Sequence, residues 1–239
     1  MNILVACEES QAVTIELRKL GHNAFSCDII ECSGGHPEWH IKQDVLPLIN
    51  GRCSFMTCDG QMHTIDGKWD MMIAHPPCTY LTVAGNAYFN EEKYGDKARA
   101  RKEEREKAAG FFMRFINADC DHIAVENPVG CMSTRYRKPD CIVQPWQFGH
   151  PYTKTTCLWL KGLPALVPTE ILQKPENGWA NQQNAKDGHY GGFGGDWGKR
   201  SNGKWMRYGD PLVKKGRSKT FPGIARAMAE QWAGKCEEE

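Results

Sequence analysis

The 239-residue chain lacks long hydrophobic runs and carries little net charge. No apolar run approaches the roughly 18 residues that a membrane-spanning helix needs, so we expect no membrane partner. The N-terminal stretch MNILVACEES contains no basic region followed by a long apolar segment, so we also expect no secretory signal. The formal net charge of +1 points to no particular class of partner, and no obligate protein partner is evident.

Cysteine, in contrast, is abundant, with eleven residues spread through predicted strands and loops. Together with the missing export signal, this number favours a reduced cytoplasmic setting over a disulfide scaffold. The 41% hydrophobic and 25% charged residues indicate a packed core rather than global disorder. Cys27, Cys32, His36 and His40 are ligand types that suit zinc, but the first spacing is loose and we predict no metal site.

Short apolar segments alternate with helical patterns over most of the chain. One helix is predicted between the first two strands, another follows Asp96, and a last one contains Ile224, Met228 and Trp232. This order indicates an α/β fold with a mostly parallel sheet flanked by helices. The strands are predicted at Ile3–Ala6, Asn23–Cys27, His40–Gln43, Trp69–Ala74, His122–Val125 and Thr156–Leu160.

Three segments depart from the simple alternation. Residues 162–216 are too irregular for another βα unit, so we predict a main domain over residues 1–161 and 217–239 with a small insert over 162–216. The segment between Arg52 and Lys68 is predicted to form a hairpin. The run from Glu91 to Lys107 mixes acidic and basic residues and is interpreted as a salt-bridged helix face.

Polar residues follow several of the predicted strands directly. Because ligands of parallel α/β sheets bind at the carboxyl ends of the strands, these residues predict one cleft along one edge of the sheet. They are Cys7 and Glu8, Asp28, Asp44, the segment His75–Cys78, and the segment Glu126–Pro128.

Two of these strand ends carry chemistry. Pro76 and Pro77 make the chain turn rigidly away from the sheet, which presents Cys78 to the cleft, where a thiolate is a strong nucleophile. Glu126 ends a strand beside apolar walls, so we expect its pKa to be raised and its carboxyl to donate a proton. Asn127 either fixes the loop or bonds a ligand. The ordinary alternatives are a buried structural cysteine and a surface carboxylate.

Pro-Pro-Cys after one strand and Glu-Asn-Pro after the next resemble the DNA cytosine-5 methyltransferase family. The segment Gln147–Lys154, ahead of a strand, is similar to the family's G-x-P-Q-x-R motif, and Thr220–Ala225 is similar to its N-x-V-P-P motif. The resemblance is closest to small phage members, which would place the protein in the host cytoplasm. It implies a Rossmann-like class I methyltransferase fold, S-adenosyl-L-methionine as cofactor and DNA as substrate.

The resemblance also implies roles for individual residues. Cys78 and Glu126 would be catalytic, the first adding to the cytosine ring and the second contacting it. Asp28 would accept hydrogen bonds from the ribose hydroxyls of the cofactor and Asp44 one from its adenine amino group, whereas turn formation or capping is their ordinary alternative. The remaining cofactor contacts would be Cys7, Glu8, Ser10, Pro76 and Pro77, and the remaining substrate contacts Asn127, Pro128, Lys154 and Thr156.

The chain also departs from the family pattern. The family's first turn is rich in glycine, whereas Val5–Ser10 contains none, and the arginine of the G-x-P-Q-x-R motif is missing. Support for nucleic acid comes from Lys199–Lys219, which holds eight basic residues, one acidic residue and two aromatic ones. If the insert 162–216 is a target-recognition region, its small size allows relaxed sequence recognition.

Three alternatives stay open at the level of sequence. The same chemistry on RNA or on a free nucleotide such as dCMP is favoured by the short insert and opposed by the basic stretch. Methylation of an amino nitrogen uses a D/N/S-P-P-aromatic motif, whose fourth residue is Cys78 here, with Tyr80 nearby. An inactive nucleic-acid-binding or decoy protein on the same fold is favoured by the missing glycines.

Overall fold

The computed structural model describes residues 1–174 and 219–235, together with the backbone of two short paired strands, β10 (Gln183–Asn184) and β11 (His189–Tyr190). Seven strands form the central sheet. They are β1 (Asn2–Ala6), β2 (Asn23–Asp28), β3 (His40–Lys42), β6 (Met71–Ala74), β7 (Ile123–Pro128), β8 (Cys141–Val143) and β9 (Thr156–Lys161). The remaining strands, β4 (Cys53–Met56) and β5 (Met62–Ile65), pair antiparallel and confirm the predicted hairpin.

Helices cover both faces of the central sheet. They are α1 (Ala12–Lys19), α2 (Glu91–Tyr94), α3 (Asp96–Ile116), α4 (Met132–Arg135) and α5 (Pro222–Met228), and α5 continues as a π-helical turn over Ala229–Ala233. Short 3-10 turns lie at Pro37–Trp39, Val83–Phe89 and Pro145–Gln147. None of the helices in the described ranges has the length and apolar character to cross a membrane.

The strand order in the sheet is β3-β2-β1-β6-β7-β9-β8. The first five strands are parallel, and β9 runs antiparallel to both of its neighbours, β7 and β8. The expected α/β fold with a mostly parallel sheet flanked by helices is therefore confirmed, and it is compatible with a Rossmann-like fold. Strand β8 was not predicted, because three residues between loops give too little periodicity to recognise.

The core has one layer on each face of the sheet, which explains why the central strands are apolar throughout. One layer contains Trp69 and Trp159 together with Phe112 and Phe115 of α3, and the hairpin closes it. The other layer joins Leu17 of α1 to residues of α5. Buried strands of this kind tolerate few substitutions, because both surfaces of each strand are packed.

The first residues of the predicted insert pack on the main domain. Leu166 is buried in the same layer as α5, Trp232 Nε1 donates to the Pro164 carbonyl, and Gln231 bonds the backbone of Val167 twice. Most of the remaining insert lies outside the described residues. The boundary at residue 162 stays a prediction, and the chain immediately after it belongs structurally to the sheet domain.

Helix α1 begins with an unusual cap. The residue before it, Gln11, has a left-handed backbone (φ 58°) and no capping bond from its side chain. Instead, the buried Glu8 carboxylate accepts hydrogen bonds from the backbone N–H of Val13 at 2.6 Å and of Thr14 at 3.3 Å, and from the Thr14 hydroxyl at 2.7 Å. A carboxylate here satisfies orphan N–H groups and complements the helix dipole.

Replacing Glu8 by alanine removes these three bonds and leaves buried donors without acceptors. We expect Glu8→Ala to lower the free energy of unfolding by about 1–3 kcal/mol, measured by urea denaturation. The matched control is Lys19→Ala in the same helix, an exposed residue whose replacement breaks only the pair with Glu16 and should change stability by at most about 0.5 kcal/mol. Equal losses in the two variants would contradict the capping role.

Candidate active site

The carboxyl ends of three neighbouring strands lie side by side in the middle of the sheet. Ala6 of β1 is paired with Ala74 of β6, and Ala74 is paired with Val125 of β7. The residues that follow are Cys7 and Glu8, then His75, then Glu126. The strand pairing therefore places side by side the residues that the sequence predicts to line one cleft.

The turn that carries Cys78 is anchored to β7. Pro76 is buried, and its carbonyl accepts a hydrogen bond of 2.9 Å from Asn127 Nδ2. Asn127 itself is 1% exposed, and its Oδ1 atom has no hydrogen-bond partner within the described ranges. The sequence left two roles open for Asn127, fixing the loop or bonding a ligand. The hydrogen bond to Pro76 supports the first. Cys78 lies partly buried at the end of this turn, and its carbonyl accepts bonds from Leu81 and Thr82.

The segments that follow β6 and β7 are also bonded to each other. Val83 N donates to the Val129 carbonyl at 3.1 Å, and Cys131 N donates to the Leu81 carbonyl at 2.8 Å. Gly130 lies so close that a Cβ atom there would be 2.2 Å from the Leu81 carbonyl oxygen, so no other residue fits without a backbone shift. The chain segments bearing Cys78 and Glu126 therefore form one connected unit.

Two arginines of α3 hold the loop after Cys78. Arg101 donates to the Thr79 carbonyl at 3.1 Å, and Arg105 Nε donates to the Tyr80 carbonyl at 2.8 Å. The Arg105 guanidinium also lies 3.4 Å from the centre of the Phe89 ring. The predicted salt-bridged face is present on the same helix, in pairs such as Lys107 with Glu104. The sequence did not reveal that two of its cations bind the loop instead.

Glu126 faces the residues predicted to bind substrate. It lines a small cavity with Lys154 and Thr156, whose other walls are Thr220, Phe221, Ile224 and Met228. Thr156 is also paired with Pro128 between β9 and β7, and the Lys154 ammonium lies 3.4 Å from the Lys219 carbonyl. The structure thus brings the predicted substrate residues Lys154 and Thr156 to the Glu126 carboxylate, and Pro128 is the strand partner of Thr156.

The expectation that Glu126 has a raised pKa is wrong. Burial by itself raises the pKa of this carboxyl, whose side chain is 19% exposed. The nearby His75 imidazole, whose Nδ1 lies 3.5 Å from Oε2, and the positive charge of Lys154 outweigh burial and hold the pKa of Glu126 below its usual range. The sequence indicated the apolar walls, but not the His75 and Lys154 side chains that the fold brings to the carboxylate.

The acids proposed for the cofactor gather around the first turn. Burial raises the pKa of the Cys7 thiol, and the negative charges of Asp28 and Asp44 in its neighbourhood raise it further. Each aspartate also accepts a backbone bond from the residue two positions ahead, at 3.3 Å for Asp28 and 3.0 Å for Asp44. These are turn contacts of the ordinary kind, which leave other carboxylate lone pairs available.

The glycine-free first turn nevertheless reaches left-handed backbone conformations. Cys7 (φ 59°) and Gln11 (φ 58°) both adopt φ values that glycine takes at no cost. Such residues are strained by about 1–3 kcal/mol each and persist where the surroundings fix them. Here the buried Gln11 side chain bonds the backbone of His36 in both directions, which holds the turn in place.

The other predicted cofactor residues have mixed placements. Glu8 is 4% exposed and its carboxylate caps α1, while Ser10 Oγ lies 3.5 Å from the Ala12 backbone N–H. Pro76 is buried and Pro77 is exposed. Their contacts with a cofactor stay predictions, and Glu8 already has intramolecular partners for both oxygens.

The residues of the zinc pattern have partners inside the protein. The Cys27 thiol donates to the Gln43 carbonyl, and His40 lies between Ser26 Oγ and the Ile30 carbonyl, each 2.9 Å away. His36 bonds Glu38. No cluster of three or more potential metal ligands occurs in the ranges that the structure describes. Of the basic stretch Lys199–Lys219, all but the last residue lies outside the described residues.

The sequence reasoning placed His75 in the predicted cleft but gave it no role of its own. His75 precedes the two prolines directly, and its Nδ1 atom lies 3.5 Å from Glu126 Oε2. The signal that identifies it is its position one residue beyond a buried strand, next to the neighbouring strand that carries Glu126.

Comparison with known proteins adds no family assignment. The sequence matches none of the protein-family models searched and has no significant match among curated proteins.

The lowered pKa of Glu126 makes a prediction about stability. Because the folded-state pKa lies below the unfolded one, ionised Glu126 stabilises the protein above the usual glutamate pKa, and this contribution is lost as the pH falls through the folded-state value. We expect the stability difference between wild type and Glu126→Gln to shrink below about pH 4.5. Urea denaturation between pH 3 and 6 measures it, with Glu92→Gln as the exposed control. A difference that grows on acidification would refute the assigned direction.

The contacts of Arg105 make a prediction about Cys78. Arg105→Met removes two hydrogen bonds, to the Tyr80 carbonyl and to Asn86 Oδ1, and a cation–π contact. This should favour opening of the loop by about 1 kcal/mol and speed alkylation of Cys78 about fivefold. Mass spectrometry of peptides after timed iodoacetamide treatment measures the rate, with the exposed Cys58 as internal reference. The control is Lys102→Met on the same helix, which alters only the exposed pair of Lys102 with Glu91 of α2 and should leave the rate unchanged.

Proposed function

We propose that the protein is an S-adenosyl-L-methionine-dependent methyltransferase that acts on carbon 5 of cytosine in DNA. The observation that carries this proposal is the delivery of Cys78 and Glu126 by the adjacent parallel strands β6 and β7, at the edge where Cys7, Asp28 and Asp44 also gather. The mostly parallel sheet with an antiparallel strand near one edge agrees with the class I methyltransferase fold that the resemblance implies.

The proposed chemistry begins at Cys78. Carbon 5 of cytosine is a poor nucleophile, and addition of the Cys78 thiolate to the neighbouring ring carbon turns it into the nucleophilic end of an enamine. S-adenosyl-L-methionine, when bound, supplies the electrophilic methyl group. Loss of the proton from carbon 5 and expulsion of Cys78 restore the aromatic ring. In a duplex the base first leaves the stack, at a cost of a few kcal/mol.

The ionised state of Glu126 defines its part in this reaction. A carboxylate only accepts hydrogen bonds, and the exocyclic amino group of cytosine is a donor, so the two match. The Lys154 ammonium beside Glu126 provides positive charge close to where the ring gains electron density. Asn127 holds the Pro76 carbonyl and so keeps the Cys78 turn at the end of the neighbouring strand.

The residues of the first turn fit the proposed cofactor in part. Asp28 ends β2 beside Cys7 and retains acceptor capacity for ribose hydroxyls. The next two residues, Ile29 (72% exposed) and Ile30 (51% exposed), offer apolar surface of the kind that a purine ring covers. Glu8 holds the N-terminus of α1, so the cofactor's carboxylate would need another donor.

A polymeric substrate is favoured over a free nucleotide by the surface around the Cys78 loop. Val83 and Tyr88 on the loop, and Val129 and Tyr136 after β7, are large hydrophobic residues with at least 36% exposure. Exposed aromatic and apolar side chains beside a reactive site give stacking surface for neighbouring bases, which dCMP does not have.

The proposal is tested by incubating the protein with tritiated S-adenosyl-L-methionine and DNA, RNA or dCMP. We expect label in 5-methylcytosine of DNA, and at least a thousand-fold (~10³) loss of transfer in Cys78→Ala because it lacks the nucleophile. Cys58→Ala is the matched control, since this exposed cysteine lies away from the turn and should keep full activity.

Other outcomes separate the alternatives. Label retained in Cys78→Ala would indicate methylation of an amino nitrogen, and transfer confined to dCMP or RNA would change the substrate. Calorimetry tests the cofactor independently. We expect Asp28→Ala to weaken binding of S-adenosyl-L-methionine by about tenfold, because one charged hydrogen-bond acceptor is lost. A wild-type protein that binds no cofactor would instead be a nucleic-acid-binding or decoy protein.

A further inference from the structure

Three ionisable side chains form a row across the middle of the sheet. Glu8 follows β1, His75 follows β6 and Glu126 follows the last β7 residue that pairs with β6, and these three strands are consecutive neighbours. The backbone N–H of His75 also donates to the Ala6 carbonyl at 2.9 Å, which fixes the histidine between the two outer strands.

The imidazole in this row is largely buried and lies next to the Glu126 carboxylate. Its side chain is 9% exposed, and Nδ1 lies 3.5 Å from Glu126 Oε2. Its Nε2 atom has no hydrogen-bond partner among the described residues. On the other side, the charge of His75 acts on the Glu8 carboxyl, whose pKa burial raises and His75 lowers. A histidine that only filled space would not need to lie between two carboxylates.

We propose that His75 is a positioning residue, which holds Glu126 ionised and in place and thereby selects a pyrimidine with an exocyclic amino group. This inference rests on the proposed function and deepens it. Among the described residues, His75 is the neighbour of Glu126 on the adjacent parallel strand, whereas Lys154 lines the small cavity beside Glu126.

The selection follows from hydrogen-bond chemistry. An ionised carboxylate accepts a bond from the amino group of cytosine, whereas uracil and thymine present a carbonyl oxygen at the same position. Two acceptors facing each other in a buried site leave both unsatisfied, so the keto base is rejected. A protonated Glu126 would donate to that carbonyl and remove the discrimination. The charge state of Glu126 thus decides which base fits.

The first experiment measures the charge state without any activity assay. Protein labelled with ¹³C at the glutamate side-chain carboxyl is titrated by NMR, and the Glu126 signal is assigned by its absence in Glu126→Gln. His75→Asn keeps a donor near the Nδ1 position but removes the charge, and we expect it to raise the Glu126 pKa by about one unit or more. The charged or titratable groups that act on Glu126 in this titration are His75 and Lys154. Cys157 lies in the core layer on the other face of the sheet, and Glu8 lies beyond the histidine.

The matched control is His122→Gln, an exposed histidine at the opposite end of β7, which should leave the Glu126 titration unchanged. His75→Gln is the second variant if His75→Asn unfolds, as judged by circular dichroism. An unchanged Glu126 titration in a folded His75 variant overturns the proposal.

The second experiment measures selection of the base. Synthetic duplexes carry either deoxycytidine or deoxyuridine at the methylated position, and kcat/KM is compared for the two. We expect His75→Asn to lower the cytidine-to-uridine ratio at least tenfold (~10), because the unfavourable pairing with uracil is relieved. A shifted titration with an unchanged ratio overturns the selection. If the wild type methylates no cytosine, the proposed function fails, while the titration still decides whether His75 holds Glu126 ionised.

Discussion

The parallel pairing of β1, β6 and β7 is the constraint on which the rest of the site depends. In-register pairing of Ala6 with Ala74 and of Ala74 with Val125 makes the parallel pairing of the three strands end at one level, although β7 continues to Pro128 beside β9. This pairing makes Glu8, His75 and Glu126 neighbours although they are far apart in sequence, because each lies within two positions of a paired, fully buried alanine or valine.

Electrostatic compensation is the second requirement, because the fold buries carboxylates at this edge. An isolated buried carboxylate is strongly destabilising, so each needs donors or a positive charge. Glu8 has the N-terminus of α1 and the Thr14 hydroxyl, and Glu126 has His75 and Lys154. The two carboxylates therefore differ in what they can contact. Glu8 is enclosed by the helix α1 that follows it, whereas Glu126 lines a cavity and remains able to contact a ligand.

The sequence predicted most of the strands and helices and which strand ends lie together, because these depend on apolar periodicity and strand order. It placed Cys78 and Glu126 on consecutive strands, and the adjacency of β6 and β7 is confirmed. It did not predict the lowered pKa of Glu126, because that depends on Lys154 and His75, which reach the carboxylate only through tertiary packing. The left-handed backbone of Cys7 was equally invisible, since the usual signal for it is a glycine.

The turn after β1 contains no glycine, yet Cys7 and Gln11 both adopt left-handed backbone conformations. The Gln11 side chain offsets this strain, because it donates a hydrogen bond to the His36 carbonyl and accepts one from the His36 N–H. A glycine would relieve the strain but would lose the link between the first turn and the loop after β2. Because that loop carries Asp28 and the exposed Ile29 and Ile30, the link positions one side of the proposed cofactor groove against the other.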